Sequence, residues 1–158
     1  MPNWGYSFQN YDPERMAKAS GRDLRISTKE AVEICNAIRY MKLDEAIKYL
    51  KRVIEKKDVI PYRRYRKLLP HRAGIGERFG VPTGRYPIKA CKAILKVLEN
   101  AKANAENKGL NVENLRICHA AAHKGLRLRS YFPRAFGRVD IIRHPSTHVE
   151  IVVEEVSK

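Results

Sequence analysis

Two long alternating arms between residues 115 and 153 constrain this chain more than any other feature of its sequence. Leu115, Ile117, His119, Ala121 and His123 fall on one side of an extended strand, and past Gly125 the residues Leu126, Leu128 and Ser130 alternate with Arg127, Arg129 and Tyr131. Phe132-Pro133-Arg134-Ala135-Phe136-Gly137 reads as a turn, and a return arm carries Arg138, Asp140 and Ile142 before closing over 148–153, where Val149, Ile151 and Val153 alternate. Each arm is about 16 residues, or roughly 50 Å when extended, against about 5 to 6 residues for a typical strand. The other ~100 residues make a body with a radius of gyration near ~13 Å. The prediction is a β-hairpin over 115–153, tip near 132–137, that its own body cannot shelter.

The rest of the 158 residues reads as one small body, so that 1–158 forms a single domain with appendages. Residues 1–21 hold Trp4, Tyr6, Phe8 and Tyr11 among Pro2, Pro13 and Gly21 without a helical period, which predicts an extended N-terminal arm whose aromatics either stack on bases or pack on the body. A short strand over 23–26 precedes Ser27-Thr28-Lys29-Glu30, a capping-box sequence. Ala31, Ile34, Cys35, Ile38 and Met41 then recur at helical spacing, giving a helix to about Tyr40. A second helix runs from about Leu43 to Lys56 with Ala46, Ile47, Leu50, Val53 and Ile54 inward. Proline and glycine interrupt 57–86 repeatedly, marking a long basic insertion loop in which Tyr62 to Leu69 could form two helical turns. Pro87 opens a third helix, with Ile88, Cys91, Leu95, Leu98, Ala101 and Ala105 on its core stripe, and Gly109 stops it. The expected fold class is α+β: three helices packed on a small antiparallel sheet, with the long hairpin protruding.

Charge narrows the partner. The net charge is +15. Residues 61–86 hold seven Lys or Arg and one acid, and so do residues 115–148, so these two segments carry most of the excess. Twelve of their fourteen cations are Arg, namely Arg63, Arg64, Arg66, Arg72, Arg78, Arg85 and Arg116, Arg127, Arg129, Arg134, Arg138, Arg143. Elsewhere five of eighteen are Arg. A guanidinium grips phosphate with paired hydrogen bonds and stacks on bases, whereas lysine suits solvated helix faces. The segregation points to recognition of a polyanion, and an uncovered two-stranded ribbon needs such a partner to supply a wall. RNA fits: its A-form helices favour shape and phosphate contacts over groove reading.

Other chemistry finds little support. No apolar run reaches the roughly 20 residues of a membrane span and the start lacks a signal-peptide stretch, so a cytoplasmic protein without membrane attachment is expected. Cys35, Cys91 and Cys118 are odd in number and widely spaced, which predicts reduced thiols and neither a disulfide framework nor a zinc knuckle. Gly74-x-Gly76 followed by Gly80 lacks the spacing and the strand–helix context of a nucleotide loop. His119 and His123, like His144 and His148, would stand about 13 Å apart on strands, too far for one metal unless cross-strand pairing joins the arms. Asp140 is the single carboxylate from 115 to 148, so there is no acid pair for general acid/base work. Neither an enzyme nor a cofactor is expected. A DNA-binding module would need a polar recognition helix, which the mixed Lys/Glu helix faces do not provide.

RISTKEA at 25–31, NAKANAENKGL at 100–110 and PRAFGRVDIIRHPSTHVEIVVEE at 133–155 resemble, in order and spacing, the universal large-subunit ribosomal protein family L-twenty-two, called L-seventeen in eukaryotes. The resemblance spans nearly the whole chain, and the insertion at 57–86 matches the archaeal and eukaryotic branch. It implies a structural constituent of the large subunit that binds and ties together its ribosomal RNA, lies among neighbouring ribosomal proteins and lines the polypeptide exit tunnel with its hairpin. By that resemblance Arg134, Ala135 and Arg138 approach the lumen and the nascent polypeptide, and Arg127, Arg129 and Arg143 contact RNA along the arms. Arg63, Arg64, Arg66, Arg72, Arg78, Arg85 and Arg116 are candidate RNA contacts on charge.

Overall fold

The computed structural model describes residues 5–156; Pro2 and Trp4 of the expected aromatic arm lie outside them. A three-stranded antiparallel sheet is ordered β1-β5-β4, from β1 (Met16–Leu24), β4 (Leu115–Pro133) and β5 (Val139–Glu155). The central place of β5 follows from its composition. Val149, Ile151 and Val153 bury one face while Val152 is buried on the other, and only a strand flanked on both sides and covered on both faces accommodates that run.

Helices α1 (Thr28–Ile38), α2 (Leu43–Ile54) and α4 (Ile88–Asn107) close over one face of the sheet, α4 against β1, α1 against β4 and α2 against α4. A fourth, one-turn helix α3 (Ile75–Phe79) lies in the insertion. The core joins Ile34, Leu50, Ile94, Leu98, Ile117 and Ile151. Cys35 and Cys91 lie in it as expected, and burial pushes each thiol up to about 12. On α2 the buried set is Leu43, Ala46, Tyr49, Leu50 and Val53, with Ile47 and Ile54 at the margin. On α4 it is Ala90, Cys91, Ile94, Val97, Leu98, Ala101 and Ala105, which moves the stripe off Ile88 and Leu95.

Several local expectations give way to tertiary contacts. The extended arm ends at Arg15, because residues 16–21 pair with 149–154 of β5. Ala17, Ala19 and Gly21 are poor strand formers, but their small size lets α4 approach. Ser27 occupies the N-cap of α1 in extended conformation yet makes no side-chain cap bond. The helix entry is held instead by Thr28, whose hydroxyl meets the Thr147 hydroxyl at 2.9 Å, while Thr147 donates to the Ile26 carbonyl at 3.0 Å. Tyr62 to Leu69 is not helical. The two-residue strands β2 (Ile60–Pro61) and β3 (Gly84–Arg85) clip the ends of the insertion together.

Two bulges shape β4. One, between Ile117 and His119, transfers the inward face to Ala120 and Ala122, which oppose Ile151 and Val149, so that His119 does not share a side with Ile117. The other, between Lys124 and Arg127, falls where the hairpin leaves the body. Gly125 is required there, since a Cβ would collide with Ser146 Oγ. Beyond it every residue from 126 to 145 is exposed, so about ten residues per strand, roughly 33 Å, project without cover. Deleting residues 132–137 should therefore leave the far-UV circular dichroism of the body and its thermal midpoint nearly unchanged, whereas loss of a cooperative transition would place core contacts in the tip.

Candidate nucleic-acid interface

Register sorts the projecting ribbon into two faces, because directly opposed residues share a side. Arg127 opposes Pro145, Arg129 opposes Arg143 and Tyr131 opposes Ile141 on one face. Leu128 with His144, Ser130 with Ile142 and Phe132 with Asp140 occupy the other. Arg129 and Arg143 thus confront each other across the ribbon with Arg127 diagonal to them, and none of the three side chains has a hydrogen bond or ion pair among the described residues. Two like charges in that position repel, and an anion placed between them removes the cost.

At the tip, Arg134 Nε donates to Asp140 Oδ2 at 2.7 Å and the guanidinium lies over the Phe132 ring. Ala135, Phe136 and Gly137 form a single 3₁₀ turn closed by the Arg134 amide on the Arg138 carbonyl. Phe136 takes φ +58° and is almost fully exposed, an uncommon conformation for an aromatic residue. The Arg138 side chain is exposed beside it.

The insertion loop is ordered by a residue that charge counting does not single out. Glu33, on the side of α1 away from its Ala31, Ile34, Cys35 and Ile38 stripe, is fully buried. Its carboxylate accepts three successive backbone amides, from Arg63 at 3.0 Å, Arg64 at 2.8 Å and Tyr65 at 2.7 Å. These turn-forming amides make an anion nest occupied by the protein's own carboxylate, which leaves the Arg63 and Arg64 side chains directed outward. Glu33 lies off the stripe formed by Ala31, Ile34, Cys35 and Ile38, so helical periodicity reads it as a solvated residue and gives no signal for this role.

The remaining candidate arginines differ in how free they are. Arg66 and Arg85 are exposed and unpaired among the described residues. Arg72 lies over Tyr86 and Arg64 over Tyr65. Arg63 reaches the Phe79 carbonyl at 3.3 Å. Arg78 forms a two-pronged pair with Asp58 at 3.1 Å and stacks on Phe79, and Arg116 donates from Nε to the Tyr40 carbonyl. These last two brace the body as well as adding positive potential.

The N-terminal aromatics pack on the sheet. Tyr6 and Tyr11 lie against the Lys18 ammonium, and Phe8 meets the His119 ring at 5.2 Å. The segment is fastened by Glu150, 3 % exposed, which accepts the Ser7 amide at 2.9 Å and the Ser7 hydroxyl at 2.8 Å and faces Arg22 at 3.6 Å. Burial raises the Glu150 carboxyl, but the two Ser7 bonds and the charges of His123 and Arg22 outweigh it and hold the group below the ordinary carboxylate range. His119 is displaced downward by burial and by Arg39. His123 and His148 are directly opposed in the register. Among the described residues no group of three or more His, Cys, Asp or Glu could hold a metal ion, and no described helix is long and apolar enough to cross a membrane.

The family model described as ribosomal protein L22p/L17e matches residues 19–154, from Ala19 in β1 to Glu154 in β5. The chain belongs to that family. A large ribosomal subunit protein uL22 from Ignicoccus hospitalis is 49% identical over 158 residues, covering 99% of each chain. One from Methanopyrus kandleri is 51% identical over 155 residues, covering 97% of this chain and 96% of its own. A third, from Aeropyrum pernix, is 46% identical over 156 residues, covering 99% of this chain and all of its own. These relatives are archaeal and match through the insertion at 57–86, which places the chain in the archaeal and eukaryotic type of the family. It is a ribosomal protein with a structural role and no enzymatic one.

Two outcomes follow from the buried carboxylates. Glu33→Ala leaves three amides of the loop without an acceptor and should lower stability by about 2 kcal/mol or more in denaturant titration, with new tryptic cleavage at 63–67. Glu33→Gln keeps one acceptor oxygen and should lose less. Because the Glu150 carboxyl is depressed in the fold, its stabilisation is complete above the ordinary carboxylate pKa and is lost as pH falls through the lower folded value. Hydrogen exchange at the Ser7 amide should accordingly accelerate in acid beyond the intrinsic pH trend, and Glu150→Gln should remove most of that dependence.

Proposed function

We propose that this protein is a structural constituent of the large ribosomal subunit in the cytoplasm, binding large-subunit ribosomal RNA and lining the polypeptide exit tunnel with its hairpin. The confrontation of Arg129 with Arg143, with Arg127 beside them on an uncovered ribbon, carries this reading. RNA phosphates between the strands relieve the repulsion and replace the missing wall. Arg63, Arg64, Arg66, Arg72 and Arg85 extend the contact over the Glu33-braced loop, and Arg78 and Arg116 contribute field from the body. The protein ties RNA segments together because loop and ribbon are separate cationic surfaces on one rigid core.

The tip, 132–137, and the adjoining Arg138 bring Arg134, Ala135 and Arg138 to the tunnel lumen and the nascent polypeptide. The helices remain outside as a plug against neighbouring ribosomal proteins. No cofactor or metal takes part in this role. Support comes from the family, from the large-subunit names of the archaeal relatives and from the length of the exposed ribbon.

Counterion release sets the test. Full-length protein should bind deproteinised large-subunit ribosomal RNA with a steep inverse dependence on salt, and the triple variant Arg127→Gln, Arg129→Gln, Arg143→Gln should reduce the log–log slope by about two to three. An unchanged slope would refute the assignment of these side chains to phosphate.

A further inference from the structure

A basic track outside both Arg-rich segments runs into a cleft under the root of the hairpin. Lys89, Lys92 and Lys96 are spaced by three and four along α4, share one helix face and are all exposed. Lys92 and Lys96 line a groove of about 410 Å³ with Leu24 and Asn100 at the edge of β1. One turn earlier, Lys89 lines a larger cleft of about 840 Å³ with Arg25, Glu30, Leu128 and His144. Leu24 adjoins Arg25 and Lys92 adjoins Lys89, so groove and cleft lie end to end.

The track differs from an ordinary solvated helix face. Arg25, Lys89, Lys92 and Lys96 form no hydrogen bond or ion pair among the described residues, although Glu99 lies next to their stripe. Lys102 on the same helix does pair, with Asp44 at 3.3 Å. The cleft itself has a different character. Ile26, Leu126, Leu128 and Pro145 give it apolar walls, and the His144 ring is oriented by a 2.9 Å contact between its Nε2 and Ser130 Oγ. Of its two carboxylates, Asp23 is engaged by the Ser146 hydroxyl, whereas Glu30 has no partner among the described residues.

We propose that this track binds a single-stranded segment of RNA, its phosphates on Lys96, Lys92, Lys89 and Arg25 and one unstacked base in the cleft. Lys89 to Lys96 spans about 10 Å of helix, room for more than one phosphate. The base lies against Leu128 and His144, and Glu30 accepts N–H groups from its edge. A free carboxylate would repel phosphate, which assigns the space beside Glu30 to a base and the lysine face to the backbone. The proposal rests on the ribosomal-RNA reading and adds a second surface, on the opposite side of the ribbon's register from Arg129 and Arg143 where Leu128 and His144 stand.

The test uses the full chain with deproteinised large-subunit ribosomal RNA. The variant Lys89→Gln, Lys92→Gln, Lys96→Gln should retain its circular dichroism, bind about tenfold more weakly and lose about two to three from the salt slope. Glu30→Gln should weaken binding about threefold with the slope unchanged, because it alters the base edge and not a phosphate. A photoreactive phenylalanine at Leu128 in the assembled subunit should crosslink to a nucleotide. If the lysine variant matches wild type while the ribbon-arginine variant loses its slope, this surface is not an RNA track and the ribbon reading stands. If neither variant changes, the underlying RNA reading fails. Crosslinking of position 128 to protein, or to nothing, overturns the base site, as does a Glu30→Gln variant with wild-type affinity.

Discussion

Beyond the cleft at its root, the ribbon is held in place by the backbone ladder between β4 and β5 and by cross-strand side-chain contacts, with no second layer beneath it. A two-stranded ribbon without a packed face is marginal in water. This one is further burdened by arginines facing each other and by Leu128, Phe132, Ile141 and Ile142 left in solvent. On the proposed function those liabilities share one remedy, a polyanionic surface that also offers aromatic bases, and the ribbon is completed by its partner while the body stands without it.

The body meets that demand with buried carboxylates at its cationic margins. Glu33 collects the amides of Arg63, Arg64 and Tyr65, and Glu150 collects the amide and hydroxyl of Ser7. In each case a charge removed from water is matched by several donors, without which burying it would be costly. The anchors act on backbone, so the side chains of the basic loop remain available. The loop and the arm thus each have an anchor within the protein itself.

Much of this was legible in the sequence because it follows from periodicity. The three long helices, the hairpin and the core positions of Cys35 and Cys91 are written in spacings of two and of three to four. What escaped was decided by long-range contact. The sequence reads 1–21 as an irregular arm and 23–26 as a short strand, but the strand runs over Met16–Leu24, because β5 offers an edge to Ala17, Ala19 and Gly21 despite their low strand preference. The bulge at Cys118 moves the inward face from Ala121 to Ala120 and Ala122, an offset that alternation alone does not reveal. The capping box at Ser27 was outcompeted by Thr28 and Thr147. For the candidate interface, arginine enrichment marks the loop and the ribbon, yet it does not separate Arg78 and Arg116, held by the body, from the arginines without a partner among the described residues.

β5 serves at once as the middle strand of the body and as one rail of the projecting ribbon. A pull on the tip along the ribbon axis draws β4 and β5 together and is consequently carried in shear by the ladder from β5 to β1, where the bonds share the load and do not unzip one at a time. Gly125 and the adjoining register shift mark the point where the ribbon leaves the body. The molecule has the mechanics of a tent peg, and axial tension reaches the hydrophobic core before it can detach the hairpin.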